Sequence, residues 1–144
     1  MTFLANNYNR KKISFKKGIG SYLVATNGKK YLDFCSGIAV NSLGHANPRL
    51  VKALYKQAKR VWHVSNAFTI PEGEMLAKKL VKKTFADSVI FQNSGTEATE
   101  VAIKVARRYF YSIGKPKKNR ILCVKNSFHG RTIAAIFASG SKKM

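Results

Sequence analysis

Acidic residues are scarce in this chain: six Asp and Glu stand against 27 Lys and Arg among 144 residues, a formal net charge of +21. That excess would draw nucleic acid, anionic lipid or acidic metabolites, and it would also repel itself in a folded state. The lysines come in pairs spread along the chain (11–12, 16–17, 29–30, 78–79, 82–83, 117–118, 142–143), which reads as solvated faces rather than one binding stripe. Cysteine is nearly absent. Cys35 and Cys123 stand alone without CxxC spacing, which excludes a zinc site and a disulfide framework and leaves two core or near-core thiols. No apolar run approaches the ~18 residues of a membrane span. The N-terminus "MTFLANNYNRKK" lacks the apolar stretch of a secretory signal, so the expected compartment is the cytosol. Internal repeats and low-complexity segments are also missing. What is present is a 45% hydrophobic composition, enough for one compact domain with a core.

Residues 1–12 read as a basic arm. From 13 to 65 the chain reads as short antiparallel strands and a helix: "SYLVAT" and "KKYLDF" flank Asn27-Gly28, a strong hairpin signal. A glycine-bearing loop, residues 35–48, follows. Asn47 and Pro48 then suit a helix start, one capping free amides and the other preorganised for the first turn. Leu50, Val51, Leu54, Ala58, Val61 and Trp62 recur at helical spacing, predicting one buried face. Residues 66–144 read as the start of a larger domain. A helix is expected near Thr69 with Glu72 closing a capping box, and Leu76, Ala77, Leu80, Val81 and Phe85 form its apolar stripe. "SVIFQN" and "RILCVKN" read as buried strands. The helix between them carries Ala98, Val101, Ala102, Val105, Ala106, Tyr109 and Phe110 on one stripe, and Gly114 and Pro116 stop it. Strand, helix, strand is the grammar of a parallel sheet in an α/β fold. "IAAIFA" fits either a helix or a strand.

In open parallel sheets, ligands bind beyond the carboxyl ends of strands, and both chemistry-bearing stretches fall at such ends. "NSGTE" permits two readings. Ser94 and Glu97 can form a capping box, while Gly95 and Thr96, at a helix start, can hold an anion such as phosphate on free amides. "SFHGRT" crowds Phe128, His129, a glycine and Arg131 into one turn. Phe128 can cover a planar ligand and Arg131 can grip a carboxylate with its two-pronged donors; the bland alternative buries Phe128 and solvates Arg131. His129 is open between polar scaffold and site residue.

Together, "GKKYLDFCSGIAVNSLGHANP", "HVSNAF", "ADSVIFQNSGTEATEVAIKVARRY" and "NSFHGRT", in this order and at these intervals, closely resemble the N-terminal part of class III pyridoxal-phosphate aminotransferases. The resemblance covers about residues 13 to 144. It implies the N-terminal part of a fold-type I transferase, with strands and a helix of the small domain followed by the start of the large-domain sheet. Pyridoxal 5'-phosphate is the implied cofactor. Gly95 and Thr96 would hold its phosphate with Ser94 supporting the turn, Phe128 would pack on its pyridine ring, and Arg131 would bind the substrate α-carboxylate. Ser36–Asn41 would face the substrate side. The most similar members move the δ-amino group of N-acetylornithine to 2-oxoglutarate in arginine biosynthesis; ornithine, succinyldiaminopimelate and 4-aminobutyrate are alternative donors. A homodimer is implied. The Schiff-base lysine lies in family sequence beyond the point where this chain stops, so no lysine here is nominated as catalytic. The expectation is a fragment, inactive and poorly folded alone. Two rivals are a non-catalytic remnant and a nucleic-acid-binding module. The dispersed charge and the lack of zinc-finger spacing or an RRM-type aromatic signature speak against nucleic acid.

Overall fold

A computed structural model describes residues 3–140 and divides the chain into two compact units, Met1–Thr69 and Ile70–Met144. In the first, β1 (Phe15–Ile19), β2 (Tyr22–Ala25) and β3 (Lys30–Leu32) form an antiparallel sheet in that order. Ile19 pairs with Tyr22 and Tyr22 with Leu32, so a tight turn at 20–21 joins the first two strands. The expected hairpin forms between β2 and β3. Gly28 donates to the Ala25 carbonyl (2.9 Å) and takes the left-handed conformation (φ 88°), which glycine adopts without a Cβ penalty. Asn27 Oδ1 accepts from the Lys29 amide, reinforcing the turn.

After β3 comes α1 (Ser36–Ala39), a single turn in which all four residues have positive φ, between 48° and 64°. It is therefore a left-handed turn, and for β-branched Ile38 that conformation is a true outlier. Helix α2 (Pro48–Ala58) begins as its sequence dictates: Asn47 Oδ1 accepts from the Arg49 and Leu50 amides, and Pro48 occupies the first turn. Two expectations fail here. Val61 and Trp62 lie beyond the helix, and its apolar face is open rather than buried, with Leu54 72% exposed. Amphipathic spacing prepares a face for burial, but burial needs an opposing surface.

The second unit contains α3 (Pro71–Val81), α4 (Gly95–Ser112) and α5 (Ile133–Ser139). Helix α3 starts at Pro71 with Ile70 as its cap, so the expected Thr69–Glu72 capping box is not made; proline's fixed φ sets the start instead. Phe85 falls outside this helix. Helix α4 ends as anticipated: Gly114 is left-handed (φ 73°) and Lys115 donates to the Phe110 carbonyl at 2.8 Å, a Schellman closure ahead of Pro116. "IAAIFA" resolves as helix, with Ala135 and Ser139 buried.

The two expected buried strands are corrected. Residues 88–93 and 120–126 belong to no sheet among the described residues, and Leu122 and Val124 are largely exposed. A strand interior to a parallel sheet needs a ladder partner on each side, and no described segment supplies one. The same openness corrects the cysteines: Cys35 and Cys123 are both exposed thiols. The lysine pairs from 11–12 to 117–118 are exposed throughout, as solvated faces require; Lys142 and Lys143, with the terminal "SKKM", lie outside the described residues.

Candidate functional site

The first turn of α4 carries the first sequence motif. Ser94 is the N-cap in extended conformation, and its Oγ accepts from the Glu97 amide (3.3 Å) while donating to Glu97 Oε2 (2.7 Å). The capping box is therefore closed hydroxyl to carboxylate. It occupies the Glu97 amide only. The amides of Gly95 and Thr96, the first two of the helix, meet no protein acceptor among the described residues, and a Cβ placed on Gly95 would meet nothing within 4 Å. Two open donors at the positive end of an 18-residue helix fit an anion.

The 127–132 loop, which carries the second motif, is fastened to this turn of α4. Thr99 Oγ1 reaches the His129 carbonyl (3.0 Å) and the Gly95 carbonyl (3.1 Å). Thr96 Oγ1 lies 3.0 Å from Thr132 Oγ1, and Thr132 Oγ1 donates to Glu100 Oε1 at 2.5 Å. Gly130 is buried between them at φ 124°; a Cβ there would collide with the Thr96 side chain and stand 3.0 Å from the Thr96 Cα. Glycine is thus required twice over, by backbone conformation and by contact.

Phe128 and Arg131 project from this loop and stack on each other, the guanidinium carbon 5.8 Å from the ring centroid. Phe128 is 67% exposed, and no carboxylate among the described residues pairs with Arg131. Its forked donors are therefore available to a ligand. His129 has a scaffold position: its Nε2 is 2.9 Å from Ser127 Oγ, which donates its own proton to the Val124 carbonyl (2.6 Å), so the ring nitrogen is the donor to Ser127. Sequence reasoning noted the glycine of this turn but missed Thr99, Glu100 and Thr132. The signal was present in "TEATE", whose Thr96 and Glu100 lie four apart and hence on one helix face.

A second polar cluster lies within the first unit and was also unread. Asp33 Oδ2 pairs with His45 Nε2 at 2.7 Å, and Asp33 Oδ1 accepts from the Cys35 and Ser36 amides at 2.9 and 3.0 Å. The His45 side-chain hydrogen bond, with the Ser36 and Cys35 amides and the nearby imidazole, holds the Asp33 carboxyl below the usual carboxylate range. His45 is itself anchored, exchanging both backbone hydrogen bonds with Gly20 (2.8 and 3.0 Å). This cluster grips the entry of the left-handed turn within the segment Ser36–Asn41.

The class to which these features belong is settled by comparison: residues 3–144 match the family model of class III aminotransferases, and the chain belongs to that family. Among curated relatives, it is 53% identical over 140 residues to an acetylornithine aminotransferase of Agrobacterium fabrum, an alignment covering 97% of this chain and 35% of that protein. Among solved structures, it resembles the N-acetylornithine aminotransferase of Stenotrophomonas maltophilia (TM-score 0.76, 40% identity, 85% of this chain and 34% of that one). It also resembles the ornithine aminotransferase of Toxoplasma gondii, described with partial occupancy of PLP at its active site (TM-score 0.82, 30% identity, 92% and 32%). The chain thus spans about a third of the length of the curated relatives it matches. These likenesses place it in the α/β fold of class III aminotransferases.

Proposed function

We propose that this chain forms the part of a pyridoxal-phosphate-dependent aminotransferase that holds the cofactor phosphate and a substrate carboxylate. The reaction moves the δ-amino group of N-acetylornithine to 2-oxoglutarate, within arginine biosynthesis. The observation that carries this reading is the 53% identity over 97% of the chain with an acetylornithine aminotransferase.

The local chemistry supports it. The open amides of Gly95 and Thr96 fit a phosphate, and the Ser94–Glu97 cap keeps them aimed along the helix axis. The exposed ring of Phe128 fits a planar aromatic partner, and the guanidinium of Arg131, which pairs with no carboxylate among the described residues, fits an α-carboxylate bidentately. When bound, pyridoxal phosphate supplies the electron sink that makes removal of a proton beside the amino group feasible. The work of this chain's residues is binding and orientation: amides on one charged group, a guanidinium on another, and a ring face between polar anchors. Substrate contact by Ser36–Asn41, a second copy of the chain as partner, and a cytoplasmic setting belong to the same proposal and rest on the family resemblance.

The test joins residues 1–144 to the remaining two-thirds of the Agrobacterium fabrum relative. The purified fusion is expected to bind pyridoxal phosphate with a visible absorbance band and to turn over N-acetylornithine faster than ornithine. Gly95→Asp, which sets a carboxylate among the phosphate-binding amides, is expected to weaken cofactor binding about 100-fold, or about 2.7 kcal/mol. Unchanged cofactor affinity in that variant, or a preference for ornithine, would overturn the proposal.

A further inference from the structure

Four side-chain hydroxyl and carboxylate groups join the first two turns of α4 to the loop that follows residue 126, and their chemistry fixes the proton directions. A threonine hydroxyl has one proton to give, and a carboxylate oxygen only accepts. Thr132 gives its proton to Glu100 Oε1 at 2.5 Å. In the 3.0 Å contact between Thr96 and Thr132, Thr96 must therefore be the donor. The single Thr96 proton is thereby spent, and its oxygen can offer an anion nothing but lone pairs. The Thr96 side chain has little freedom to turn away, because it is β-branched on a helix and Gly130 is packed against it. Thr99, whose single proton faces both the His129 and the Gly95 carbonyls, adds a weaker parallel link from α4.

We propose that Glu100 is a positioning residue for the 127–132 loop, acting through Thr132 and Thr96, and that Thr96 meets the cofactor phosphate through its backbone amide alone. Glu100 orients the relay because it can only accept. The relay in turn ties Phe128 and Arg131, on the loop, to the amides of Gly95 and Thr96. The inference rests on the aminotransferase reading of this helix start.

The relay predicts a separation between two measurements on the fusion described above: pyridoxal-phosphate affinity of the apo form, and KM against kcat for N-acetylornithine in the holoenzyme. Thr96→Val removes the donor hydroxyl but leaves the amide. It is expected to change cofactor affinity by less than about threefold while raising substrate KM about tenfold, because the loop carrying Arg131 is loosened; a tenfold change is about 1.4 kcal/mol. Glu100→Leu is expected to raise KM similarly, and Glu100→Gln, which retains an acceptor oxygen, to restore it to within about threefold of the parent. If Glu100→Leu does not fold, Thr132→Val removes the same link without changing side-chain shape and carries the same expectation. A tenfold loss of cofactor affinity in Thr96→Val overturns the inference while leaving the aminotransferase reading intact. So does an unmoved KM in Glu100→Leu or Thr132→Val, or a Glu100→Gln variant no better than Glu100→Leu. A fusion that binds no pyridoxal phosphate overturns both.

Discussion

Asp33 shows how one side chain can organise a segment that its neighbours would not choose. Its two carboxylate oxygens divide the work, one accepting from the Cys35 and Ser36 amides and the other meeting His45. Beyond these bonds the backbone enters four consecutive positive-φ residues, a conformation costing on the order of 1–2 kcal/mol per non-glycine residue. Such strain persists only where surrounding contacts over-determine it. The pH dependence follows in sign. Because the Asp33 carboxyl is held below its ordinary value of about 3.8, its contribution to stability is fully present above that pH. It is lost as the pH falls through the lowered folded-state value. In urea unfolding of the fusion protein, the midpoint should fall as pH drops below about 4. Asp33→Asn should lower the midpoint near neutrality and flatten that acid-side fall. An identical acid-side slope in the parent and in Asp33→Asn would show that the pair contributes nothing to it.

At the scale of elements, the helices owe their boundaries to short-range chemistry and the strands to their partners. Helix α2 is the clearer case, with Asn47 Oδ1 on two first-turn amides and Asn47 Nδ2 donating to the Leu43 carbonyl. Asn47→Ala should cost about 2 kcal/mol, the upper end of the capping range, because the Leu43 bond is lost as well. Thermal unfolding of the fusion, followed by circular dichroism, would register this as a lowered midpoint; a variant as stable as the parent would mean that the cap is replaced by water at no cost. The β2–β3 hairpin is equally local, since Gly28 and Asn27 close it within five residues. By contrast, 88–93 and 120–126 have strand composition without strand structure. Their β-branched and apolar residues suit a buried sheet, yet sheet membership is decided by a neighbouring backbone, which lies far away in sequence.

Across the whole molecule, charge and apolar exposure set the behaviour in solution. A formal +21, with lysine pairs exposed and spread along the described residues, creates a broad positive field. Duplex DNA should therefore bind weakly and without sequence preference, and its affinity should fall steeply, by about a thousandfold or more, between about 50 and about 200 mM salt if six or more phosphates are engaged. A gel-shift or anisotropy titration at both salt concentrations, with two unrelated duplexes, checks this; tight, sequence-selective binding at the higher salt would point to a nucleic-acid partner instead. Large apolar side chains are open in both units, Trp62 at 87% and Leu122 at 100% exposure, although 45% of the sequence is hydrophobic. Composition measures the capacity for a core, whereas burial depends on which surfaces meet.

The sequence alone determined what depends on neighbours a few residues apart. The Asn47 and Ser94 caps, the Gly28 turn, the Gly114 stop and the ordered family motifs are properties of contiguous residues, whose backbone preferences act before any tertiary contact. Tertiary structure alone decided which distant groups share protons and space. It set Asp33 against His45, twelve residues away, and fastened Thr96 and Glu100 to Thr132, more than thirty residues on. It also left two strand-like segments outside any sheet among the described residues. Hydrogen bonds and ladders between remote residues require the chain to return to the same place, and no local pattern encodes that return.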